Sequence, residues 1–354
     1  MESNEYDILV IGAGPSGCSA AYHAALSGWR VLLLDRCQFP RDKVCGDGLD
    51  PRSVYLLAQM GVDYEDLIAV GAQKVDHFRI FRGGTLVEER PLPVGPGRAH
   101  YALGVARLSL DTLLWRKALA AGAQWCGAFE ARAVKVDVRK PSVTVLGRQQ
   151  GKETEVSAYL AIIAAGAVAW FYRTIGSRPP KESLGVGLRQ YYELESMPSP
   201  TFDLFYEPYL PSGVAWIFPA GPRLVNVGVG ERIILTNIKP RLFGTLHAFL
   251  NGNRVARQIL ADARPVGSPK IAPIRMSISG RLADDGLLWV GDAAGLAHPQ
   301  SGKGIPYALE SGQIAAQTAS IALQLGDIRR GVLSCYEAEI RNRFSTDLEV
   351  RNAT

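Results

Sequence analysis

The sequence contains few cysteines, and their spacing excludes two common structural roles. The five cysteines, at positions 18, 37, 45, 126 and 335, are odd in number and include no CxxC pair. An odd number argues against a disulfide framework and the lack of a CxxC pair argues against a structural zinc site, so we expect neither, and we expect no metal site. This cysteine usage favours a reducing cytoplasm as the compartment.

The chain also lacks long apolar runs and blocks of like charge. Its longest apolar run, residues 159–172, is shorter than the roughly twenty residues that a transmembrane helix needs. The 39 Lys and Arg residues and the 34 Asp and Glu residues are interspersed, so the net charge of +5 predicts no nucleic-acid-binding patch. The acidic N-terminus leads directly into a strand pattern, and we therefore expect no signal peptide. Any membrane contact is expected to be peripheral.

What the sequence does contain is the composition of a globular protein, with 47% hydrophobic residues over 354 positions. Residues 6–11 and 30–35 are apolar runs that predict strands buried on both faces, and residues 15–27 between them predict a helix. Together these segments predict a βαβ unit at the start of a parallel sheet.

The remaining pattern predicts two interleaved lobes of an α/β protein. Further predicted elements are antiparallel strands within 76–101 and 131–145, helices at 108–121 and 304–325, buried strands at 159–165 and 287–290, and turn-rich strands within 184–230. We assign residues 1–75, 102–180 and 272–325 to a parallel-sheet lobe, residues 76–101 and 181–271 to a mostly antiparallel lobe, and residues 326–354 to a C-terminal helix.

A glycine-rich turn, GAGPSG, follows the first predicted strand. Gly12, Gly14 and Gly17 have the G-x-G-x-x-G spacing of dinucleotide-binding turns, and Ala13 and Ser16 belong to the same turn. The first glycine permits a tight turn, the second lets a pyrophosphate approach the backbone, and the third lets the helix pack closely on the sheet. The helix N-terminus then offers free N–H groups to the phosphates. The alternative interpretation is a purely structural glycine turn.

An acidic residue at the end of the second strand strengthens the nucleotide interpretation. Asp35 follows Gly17 by eighteen residues, where a carboxylate can hold the ribose hydroxyl groups. A carboxylate there disfavours a 2′-phosphorylated ribose, so the predicted dinucleotide is FAD or NAD rather than NADP. Arg36, the next residue, is expected either to lie along the adenine or to be solvated.

A second motif late in the chain, LLWVGDAAGLAHPQSGKGI, favours FAD over NAD. Gly291 and Asp292 follow a buried strand, and a glycine-rich segment precedes a helix. This segment contains Gly302, Lys303, Gly304 and Ile305. The aspartate can accept a hydrogen bond from a ribityl hydroxyl, and the helix N-terminus can face the flavin pyrimidine edge. NAD-only proteins have no need of this element; the alternative is a simple turn before a capped helix.

These motifs, together with LDR, KVCGDGL, ARLSLD and VAWIFPAGPRLVNVGVG, resemble those of the geranylgeranyl reductase family of FAD-dependent oxidoreductases. The resemblance extends over residues 6–325 and implies a p-hydroxybenzoate hydroxylase-like fold. In that fold a Rossmann-like FAD-binding lobe with a parallel sheet is interleaved with a mostly antiparallel β substrate lobe. It also implies that Lys43, Cys45, Gly46 and Arg107 lie at the FAD, with Asp111 in the same motif as Arg107.

The resemblance further implies a binding site for an apolar substrate. The aromatic motif of the family is matched by Trp216, Phe218, Pro219, Gly228 and Gly230, whereas Val214 replaces the usual leading aromatic residue. Burial against such a surface stabilises an apolar chain by roughly 25 cal/mol per Å². The alternative is that Trp216 and Phe218 are ordinary core residues of a strand.

The implied activity is hydride transfer from reduced flavin to an isolated double bond of a polyprenyl chain, of the geranylgeranyl or quinone side-chain type. NAD(P)H is the expected reductant, with NADPH, NADH and ferredoxin all open. His298 is either a proton donor or a turn histidine. A FAD-dependent monooxygenase, a flavin halogenase and a non-catalytic flavin-binding partner remain alternatives, the last because Ala165 replaces an aspartate that is usual in the superfamily.

Cys45 has two interpretations once FAD is placed. Its loop either lines the isoalloxazine with a small side chain, or it brings a thiol close enough to donate a proton during catalysis.

Near the C-terminus, Tyr336, Ile340, Phe344 and Leu348 recur every four residues beside several arginines. This stripe predicts a helix that packs on its own domain or lies on a membrane surface.

Overall fold

The structure, a computed structural model, describes residues 5–167, 184–197, 200–232, 242–276, 278 and 280–348. Its strands are β1 (Tyr6–Ile11), β2 (Val31–Leu34), β3 (Gly48–Leu49), β4 (Gln73–Val75), β5 (His77–Arg82), β6 (Thr85–Pro91), β7 (Ala102–Gly104), β8 (Gln124–Cys126), β9 (Phe129–Asp137), β10 (Ser142–Gln149), β11 (Lys152–Ile163), β12 (Leu184–Glu193), β13 (Phe202–Tyr206), β14 (Gly213–Pro219), β15 (Leu224–Arg232), β16 (Arg264–Arg275), β17 (Ala283–Asp284) and β18 (Leu287–Trp289). Its α-helices are α1 (Pro15–Leu26), α2 (Pro51–Gln59), α3 (Tyr64–Ala69), α4 (Arg107–Ala120), α5 (Leu242–Gly252), α6 (Arg254–Ile259), α7 (Ile305–Leu325) and α8 (Arg330–Leu348).

The chain divides into two compact units. Unit 1 comprises Met1–Arg41, Asp111–Ser183 and Arg275–Thr354, and unit 2 comprises Asp42–Leu110 and Leu184–Ile274. Residues 42–75 and 102–110, which the sequence assigned to the parallel-sheet lobe, fall in unit 2. They do so because β3, β4 and β7 form a small sheet of their own, and Ala106 N donates to Ala220 O of the same unit. Which lobe takes the cofactor and which the substrate stays a prediction.

Unit 1 contains the predicted parallel sheet. Its strand order is β17-β18-β11-β1-β2-β8, and β9 and β10 extend it as an antiparallel hairpin from β11. The central strand β1 pairs in parallel with β2 and β11, which confirms the βαβ unit. Five of the six residues of β1 are buried. This near-continuous burial explains why its sequence is an apolar run rather than an alternating pattern.

Helices α1 and α7 of unit 1 pack closely against each other. A Cβ added at Gly312 would lie 2.3 Å from Ser16 O, so only glycine permits this approach of the backbones. Ser19 Oγ donates to Leu309 O at 2.6 Å between the two helices. The contact fixes the two helix N-termini, each of which follows a glycine motif, within one rigid arrangement.

The C-terminal helix α8 packs on unit 1 through its apolar stripe. Tyr336, Ile340 and Phe344 are fully buried, Tyr336 Oη donates to Trp289 O at 2.6 Å, and the Phe344 ring meets the edge of Tyr307. The membrane-surface interpretation of this stripe is therefore wrong for these three side chains, since the core already covers them. The side chain of Leu348 and residues 349–354 lie outside the described part of the chain.

Unit 2 is built on a seven-stranded sheet in the order β16-β12-β15-β14-β13-β5-β6. Its pairings are antiparallel as predicted at β12–β15, β14–β15, β13–β14 and β5–β6, and parallel at β13–β5. Helices α5 and α6 cover one face, where Leu246 and Phe249 join the buried residues Ala215, Ile217 and Val227 in one apolar core. Alternate residues of β14 point to the opposite face.

No helix in the described ranges combines the length and the apolar character that crossing a membrane requires. Residues 168–172 of the longest apolar run lie outside those ranges.

Candidate functional site

The glycine turn of unit 1 is closed by the carboxylate of Asp35. Ala13 N donates to Asp35 Oδ2 at 2.8 Å, and Cys37 N donates to Asp35 Oδ1 at 2.9 Å. Each carboxylate oxygen therefore accepts a backbone N–H group, and Arg41 Nη2 lies 3.5 Å from Oδ2. Asp35 thus ties the end of β2 to the turn that follows β1, at the carboxyl edge of the parallel sheet.

The three positions of this turn are occupied by glycine for different structural reasons. A Cβ at Gly12, whose φ is +107°, would lie 2.4 Å from Ala164 O, and a Cβ at Gly17 would lie 1.7 Å from Gly12 O. A Cβ at Gly14 would meet nothing nearer than Arg41 Nη2 at 3.9 Å. Gly12 and Gly17 are required by the fold, whereas Gly14 borders open space at the N-terminus of α1. This is the space that a pyrophosphate needs, so the turn fits FAD.

Arg41 is a site residue that the motif analysis missed. Its Nη1 lies 2.7 Å from Asp111 Oδ2, and its guanidinium lies 4.9 Å from the centre of the Phe39 ring. Asp111, which belongs to the same motif as Arg107, thus forms an ion pair with Arg41. Arg36 is exposed, so the cation beside Asp35 is Arg41. Its only sequence signal is a position shortly after a strand that ends in aspartate.

The second glycine motif adjoins the first within unit 1. Gly291 begins a short 3-10 helix with φ +57°, and a Cβ there would lie 2.8 Å from Ser16 Oγ. Gly291 N donates to Ser311 Oγ at 3.0 Å. A Cβ at Gly304 would lie 3.3 Å from Asp292 Oδ1, so the Asp292 carboxyl group lies against the start of α7. Two helix N-termini and two motif aspartates therefore belong to one site-forming region of unit 1.

His298 acts as a turn residue in this motif. Its Nδ1 accepts hydrogen bonds from the backbone N–H groups of Gln300 and Ser301 at 3.1 and 3.2 Å. The backbone N–H group of His298 donates to Lys303 O at 2.8 Å. Burial lowers the pKa of the His298 imidazole. Protonation of Nδ1 would break both turn contacts. The structure thus favours the turn interpretation. Gly302 has φ +66°, Lys303 is exposed and Ile305 is buried.

In unit 2, the loop that carries Cys45 lies against the aromatic strand β14. A Cβ at Gly46 would lie 3.6 Å from the Phe218 ring and from Trp216 Nε1. Asn226 Nδ2 donates to Cys45 O at 2.7 Å, and Trp216 Nε1 donates to Asn226 Oδ1 at 2.8 Å. The predicted loop and the predicted aromatic motif, far apart in sequence, are therefore joined by one amide side chain.

Trp216 and Phe218 lie on the face of β14 that points away from the main core. Both are half-buried, whereas Ala215 and Ile217 between them are buried in that core. A Cβ at Gly228 would lie 2.2 Å from Trp216 Cζ2. A Cβ at Gly230 would lie 3.3 Å from Trp216 Cζ3, and a Cβ at Gly104 2.1 Å from Pro219 O. Gly228 and Gly230 thus make room for the indole, and Phe218 packs against a small buried cluster that includes Phe202. Whether the two aromatic residues bind a substrate or are core residues of the strand stays open at this point.

Asp47, in the same loop as Cys45, is fully buried and has a left-handed backbone with φ +64°. Its Oδ2 accepts hydrogen bonds from Tyr191 Oη at 2.6 Å and from Asn226 Nδ2 at 2.8 Å. Its Oδ1 is buried and has no hydrogen-bond partner among the described residues. Burial raises the pKa of Asp47 to about 6, against the hydrogen bonds from Tyr191 and Asn226 and the charges of Arg189 and Arg107.

A buried arginine lies beside this carboxyl group. Arg189 is 1% exposed, and its Nη2 lies 2.6 Å from Asp42 Oδ1 while its guanidinium lies 3.9 Å from the Tyr191 ring centre. Lys270 Nζ donates to Asp42 Oδ2 at 2.7 Å. Burial alone would raise the pKa of Asp42, but the hydrogen bonds from Lys270 and Arg189 outweigh it and lower this pKa. The ionised Asp42 therefore compensates the charge of the buried guanidinium.

Motif reasoning missed Asp47, Asn226, Tyr191 and Arg189. One signal was present: Asn226 is the polar residue inside the apolar run LVNVGVG, and a polar residue inside a buried strand needs a partner. The remaining predicted residues are half-buried Lys43, buried Arg107 and Ala165, whose N lies 3.2 Å from a Cβ added at Gly12. All five cysteines lie within the described ranges and are free thiols.

Comparisons with known proteins agree with this geometry. Residues 5–194 match the FAD binding domain family. The chain is 34% identical over 326 residues to a menaquinone reductase of Mycobacterium tuberculosis, a match that covers 88% of this chain and 76% of the relative. It is 28% identical to a digeranylgeranylglycerophospholipid reductase of Thermoplasma volcanium, over 96% of this chain and 84% of the relative.

Solved structures show the same fold. A geranylgeranyl bacteriochlorophyll reductase-like protein from Thermoplasma acidophilum superposes with a TM-score of 0.82 at 25% identity, over 97% of this chain and 84% of that protein. A flavin-dependent brominase superposes with a TM-score of 0.81 at 20% identity, over 95% and 83%, and this likeness concerns the fold alone. The two glycine motifs, the sheet topology and these matches together show that the chain belongs to the FAD-binding domain family and, within its p-hydroxybenzoate hydroxylase-like members, to the geranylgeranyl reductase family of FAD-dependent oxidoreductases.

Proposed function

We propose that this chain saturates isolated double bonds of a polyprenyl substrate, of the geranylgeranyl or quinone side-chain type. The observation that carries the proposal is the Asn226 link between the Cys45 loop and Trp216 in unit 2. It joins the loop that we place beside the flavin to a half-buried aromatic surface that an apolar chain can cover. The relatives named for menaquinone and for digeranylgeranylglycerophospholipid support this substrate class.

The residues of unit 1 fit FAD as the cofactor. Asp35 would hold the ribose, the N-terminus of α1 beside Gly14 the pyrophosphate, and Asp292 with the N-terminus of α7 the ribityl chain and the flavin edge. Gly302, Lys303, Gly304 and Ile305 belong to the same proposed binding set. Bound FAD supplies the hydride and its electron pair, and NAD(P)H is the proposed reductant. We also propose peripheral contact with a membrane, because polyprenyl substrates partition into one.

The chain itself must position the alkene, exclude water and supply the proton that the second alkene carbon takes up. Trp216 and Phe218 would provide the apolar surface, while Lys43, Gly46 and Arg107 would contact the cofactor. Cys45 is half-buried, and its backbone carbonyl group accepts a hydrogen bond from Asn226 Nδ2, which fixes the backbone that carries the thiol. We propose Cys45 as the proton donor or as a lining residue beside the flavin. Since an alkene without a neighbouring carbonyl is not polarised, this proton must be delivered from a well-placed group in a water-poor pocket.

The test is anaerobic turnover of the FAD-loaded, photoreduced protein with geranylgeranyl diphosphate, menaquinone and a geranylgeranylated glycerolipid, read by mass spectrometry. A gain of two mass units per event that remains after reoxidation in air supports the proposal, because air returns a quinol ring to the quinone but leaves a saturated side chain unchanged. A gain of sixteen under air, with no product anaerobically, would establish a monooxygenase and overturn it. Cys45→Ala and Cys45→Ser separate the two roles of the thiol: unchanged turnover with FAD retained leaves Cys45 as a lining residue.

A matched pair of tryptophan variants tests the substrate surface. Trp216→Ala removes the half-buried indole of β14 and should raise KM for the polyprenyl substrate about ten-fold or more. Trp29→Ala removes a half-buried indole of unit 1 that donates to Ser320 Oγ at 2.9 Å, and should leave KM unchanged. Equal KM changes in both variants would contradict the assignment of the aromatic strand.

A further inference from the structure

The stability of the fold does not explain why the side chain of Asp47 is a buried carboxyl group. Its carboxyl group is 0% exposed, and Oδ1 has no partner among the described residues. A buried carboxyl oxygen without a hydrogen bond costs free energy of folding. Its backbone is held independently of the side chain, because Val105 N donates to Asp47 O at 3.0 Å. The backbone at Asp47 is thus held in part without the carboxyl group, and the cost of the buried Oδ1 calls for another reason.

The side chain of Asn226 connects Asp47 to two residues of the proposed site. Its Nδ2 donates to both Asp47 Oδ2 and Cys45 O, and its Oδ1 accepts from Trp216 Nε1. The amide thus uses both N–H groups and its oxygen. If it turned over, its oxygen would face the Asp47 carboxylate and the Cys45 carbonyl oxygen, which repel it, and its NH₂ group would face the indole N–H. An ionised Asp47 therefore selects the observed orientation.

We propose that Asp47 is a positioning residue of the reduction, which orients the Asn226 amide and through it fixes the Cys45 loop and the Trp216 indole together. Its role in turnover rests on the proposed function, whereas the link between the four residues does not. Nothing in the glycine or aromatic motifs assigns a role to Asp47 or Asn226. Asp47 does not contact the reacting atoms in this assignment; it acts through Asn226.

The groups that face Asp47 determine how the link responds to pH. Arg189 and Tyr191 face it from β12, Asn226 from β15, and the positive charge of Arg107 from α4. Because burial raises its pKa to about 6, the carboxylate gains a proton as the pH falls through that value. Since Oδ2 already accepts two hydrogen bonds, we expect the proton on Oδ1, which has no hydrogen-bond partner among the described residues. The two bonds to Oδ2 then lose their charge assistance, and the hold on Asn226 weakens.

The first experiment measures the link without substrate. FAD-loaded wild type and Asp47→Asn are pulsed with iodoacetamide at pH 7.5, and alkylation of Cys45 is quantified by peptide mapping relative to the exposed Cys335. Asn tolerates the left-handed backbone, so the substitution leaves the loop conformation accessible. We expect the Cys45 to Cys335 ratio to rise about three-fold or more in the variant. An unchanged ratio would overturn the proposal.

The matched control is Asp203→Asn. Asp203 is a buried carboxylate of unit 2 that accepts two hydrogen bonds from Arg79, at 2.7 and 2.6 Å. Its loss removes a comparable charge without touching the Asn226 link, so the Cys45 to Cys335 ratio should stay at the wild-type value. If Asp203→Asn raised the ratio as much as Asp47→Asn, the effect would reflect general loosening of unit 2, and the specific link would be refuted.

The second experiment measures the pH profile of polyprenyl turnover. Wild-type kcat should fall as the pH is lowered through about 6, whereas Asp47→Asn should lack this limb and show about ten-fold lower kcat at pH 7.5 with KM for the reductant unchanged. If kcat of Asp47→Asn still fell as the pH is lowered through about 6, as in the wild type, the proposal would be overturned. If no polyprenyl compound is reduced, the proposed function fails, and the alkylation ratio still decides whether Asp47 fixes Cys45.

Discussion

Two buried carboxyl groups, Asp35 in unit 1 and Asp47 in unit 2, are held in opposite ways. Both oxygens of Asp35 accept backbone N–H groups, from Ala13 and Cys37. Among the described residues, only one oxygen of Asp47 has hydrogen-bond partners, and both of these, Tyr191 and Asn226, donate from their side chains. The site region of unit 1 is therefore fixed by the backbone, while that of unit 2 depends on side chains from distant strands.

This difference separates rigidity from adjustability. Backbone donors cannot be withdrawn without unfolding the turn, so the region around Asp35 is a fixed cradle that suits a permanently bound cofactor. Side-chain donors can change orientation or protonation, so the region around Asp47 can respond to pH and to an occupant. Substitutions should accordingly affect folding most strongly in unit 1 and the reaction most strongly in unit 2.

The largest effect is expected from Gly17→Ala, which tests the region of unit 1 that backbone groups hold together. The new Cβ would lie 1.7 Å from Gly12 O, and neither α1 nor the turn can shift without opening the sheet contact. We expect a loss of more than about 4 kcal/mol in the free energy of unfolding, seen as insoluble protein or a collapsed thermal midpoint. A soluble variant with wild-type stability would show that the turn is not rigid.

Gly14→Ala is the control for that substitution. Its Cβ would meet no atom closer than 3.9 Å, and the backbone of Gly14 has φ −78°, which alanine adopts freely. The protein should stay folded, with a change of less than about 1 kcal/mol, while FAD affinity falls about ten-fold or more because the methyl group occupies the space for the pyrophosphate. Flavin fluorescence titration measures this loss; unchanged affinity would remove the pyrophosphate from this turn.

Asp35→Ala should have the next largest effect. It removes both acceptors and leaves the fully buried N–H group of Ala13 without a partner. We expect a loss of about 3 kcal/mol, together with loss of bound FAD. Asp35→Asn keeps one acceptor oxygen and should lose less, as thermal denaturation at equal FAD concentration would show. Equal losses in both variants would mean that the carboxyl group does not hold the turn through these N–H groups.

Gly228→Ala tests the region of unit 2 that side chains hold together. A Cβ there would lie 2.2 Å from Trp216 Cζ2 and 2.6 Å from Leu188 O, so the indole must leave its place and break its bond to Asn226. We expect a loss of about 2 kcal/mol and a large change in tryptophan fluorescence, with FAD retained. In Gly230→Ala the approach to Trp216 is 3.3 Å, and a smaller change should follow. Tryptophan fluorescence equal to that of the wild type would contradict this placement of the indole against Gly228.

The same contrast explains what could be predicted from sequence. The parallel sheet, the glycine turn and the Asp35 position follow from local patterns, because apolar runs, glycine spacing and strand ends act through the backbone close in sequence. The family match and the structure confirm the fold class and FAD. Burial also decided the C-terminal stripe, where periodicity alone could not distinguish a core-facing helix from a surface one.

The pairings in unit 2 could not be predicted in the same way. Asp47 and Asn226 are separated by more than half of the chain, and nothing in KVCGDGL shows which strand its aspartate meets. Arg41 was missed for a related reason: its partner Asp111 lies on α4, 70 residues further along the chain. Long-range side-chain pairs depend on sheet register, which no single segment specifies.

The smallest effect, and the one that distinguishes Asp47 most sharply from Asp35, is the stability of Asp47→Asn as a function of pH. The pKa of Asp47 is about 6 in the folded chain against 3.8 for an ordinary aspartate, so the folded state binds more protons between these values. Wild-type stability should therefore fall as the pH rises from about 4 to 6, by at most about 3 kcal/mol, and stay lowered above 6. Asn removes this cost but forms weaker hydrogen bonds, so the variant should be about 1 kcal/mol more stable than wild type at pH 7.5 and no more stable at pH 4.5. Thermal midpoints of the FAD-loaded proteins at the two pH values measure the difference, with Asp203→Asn as the control that should destabilise at pH 7.5. A variant that loses stability at pH 7.5 would make Asp47 a structural residue like Asp35, since only a group retained for the reaction is expected to cost stability where the reaction runs.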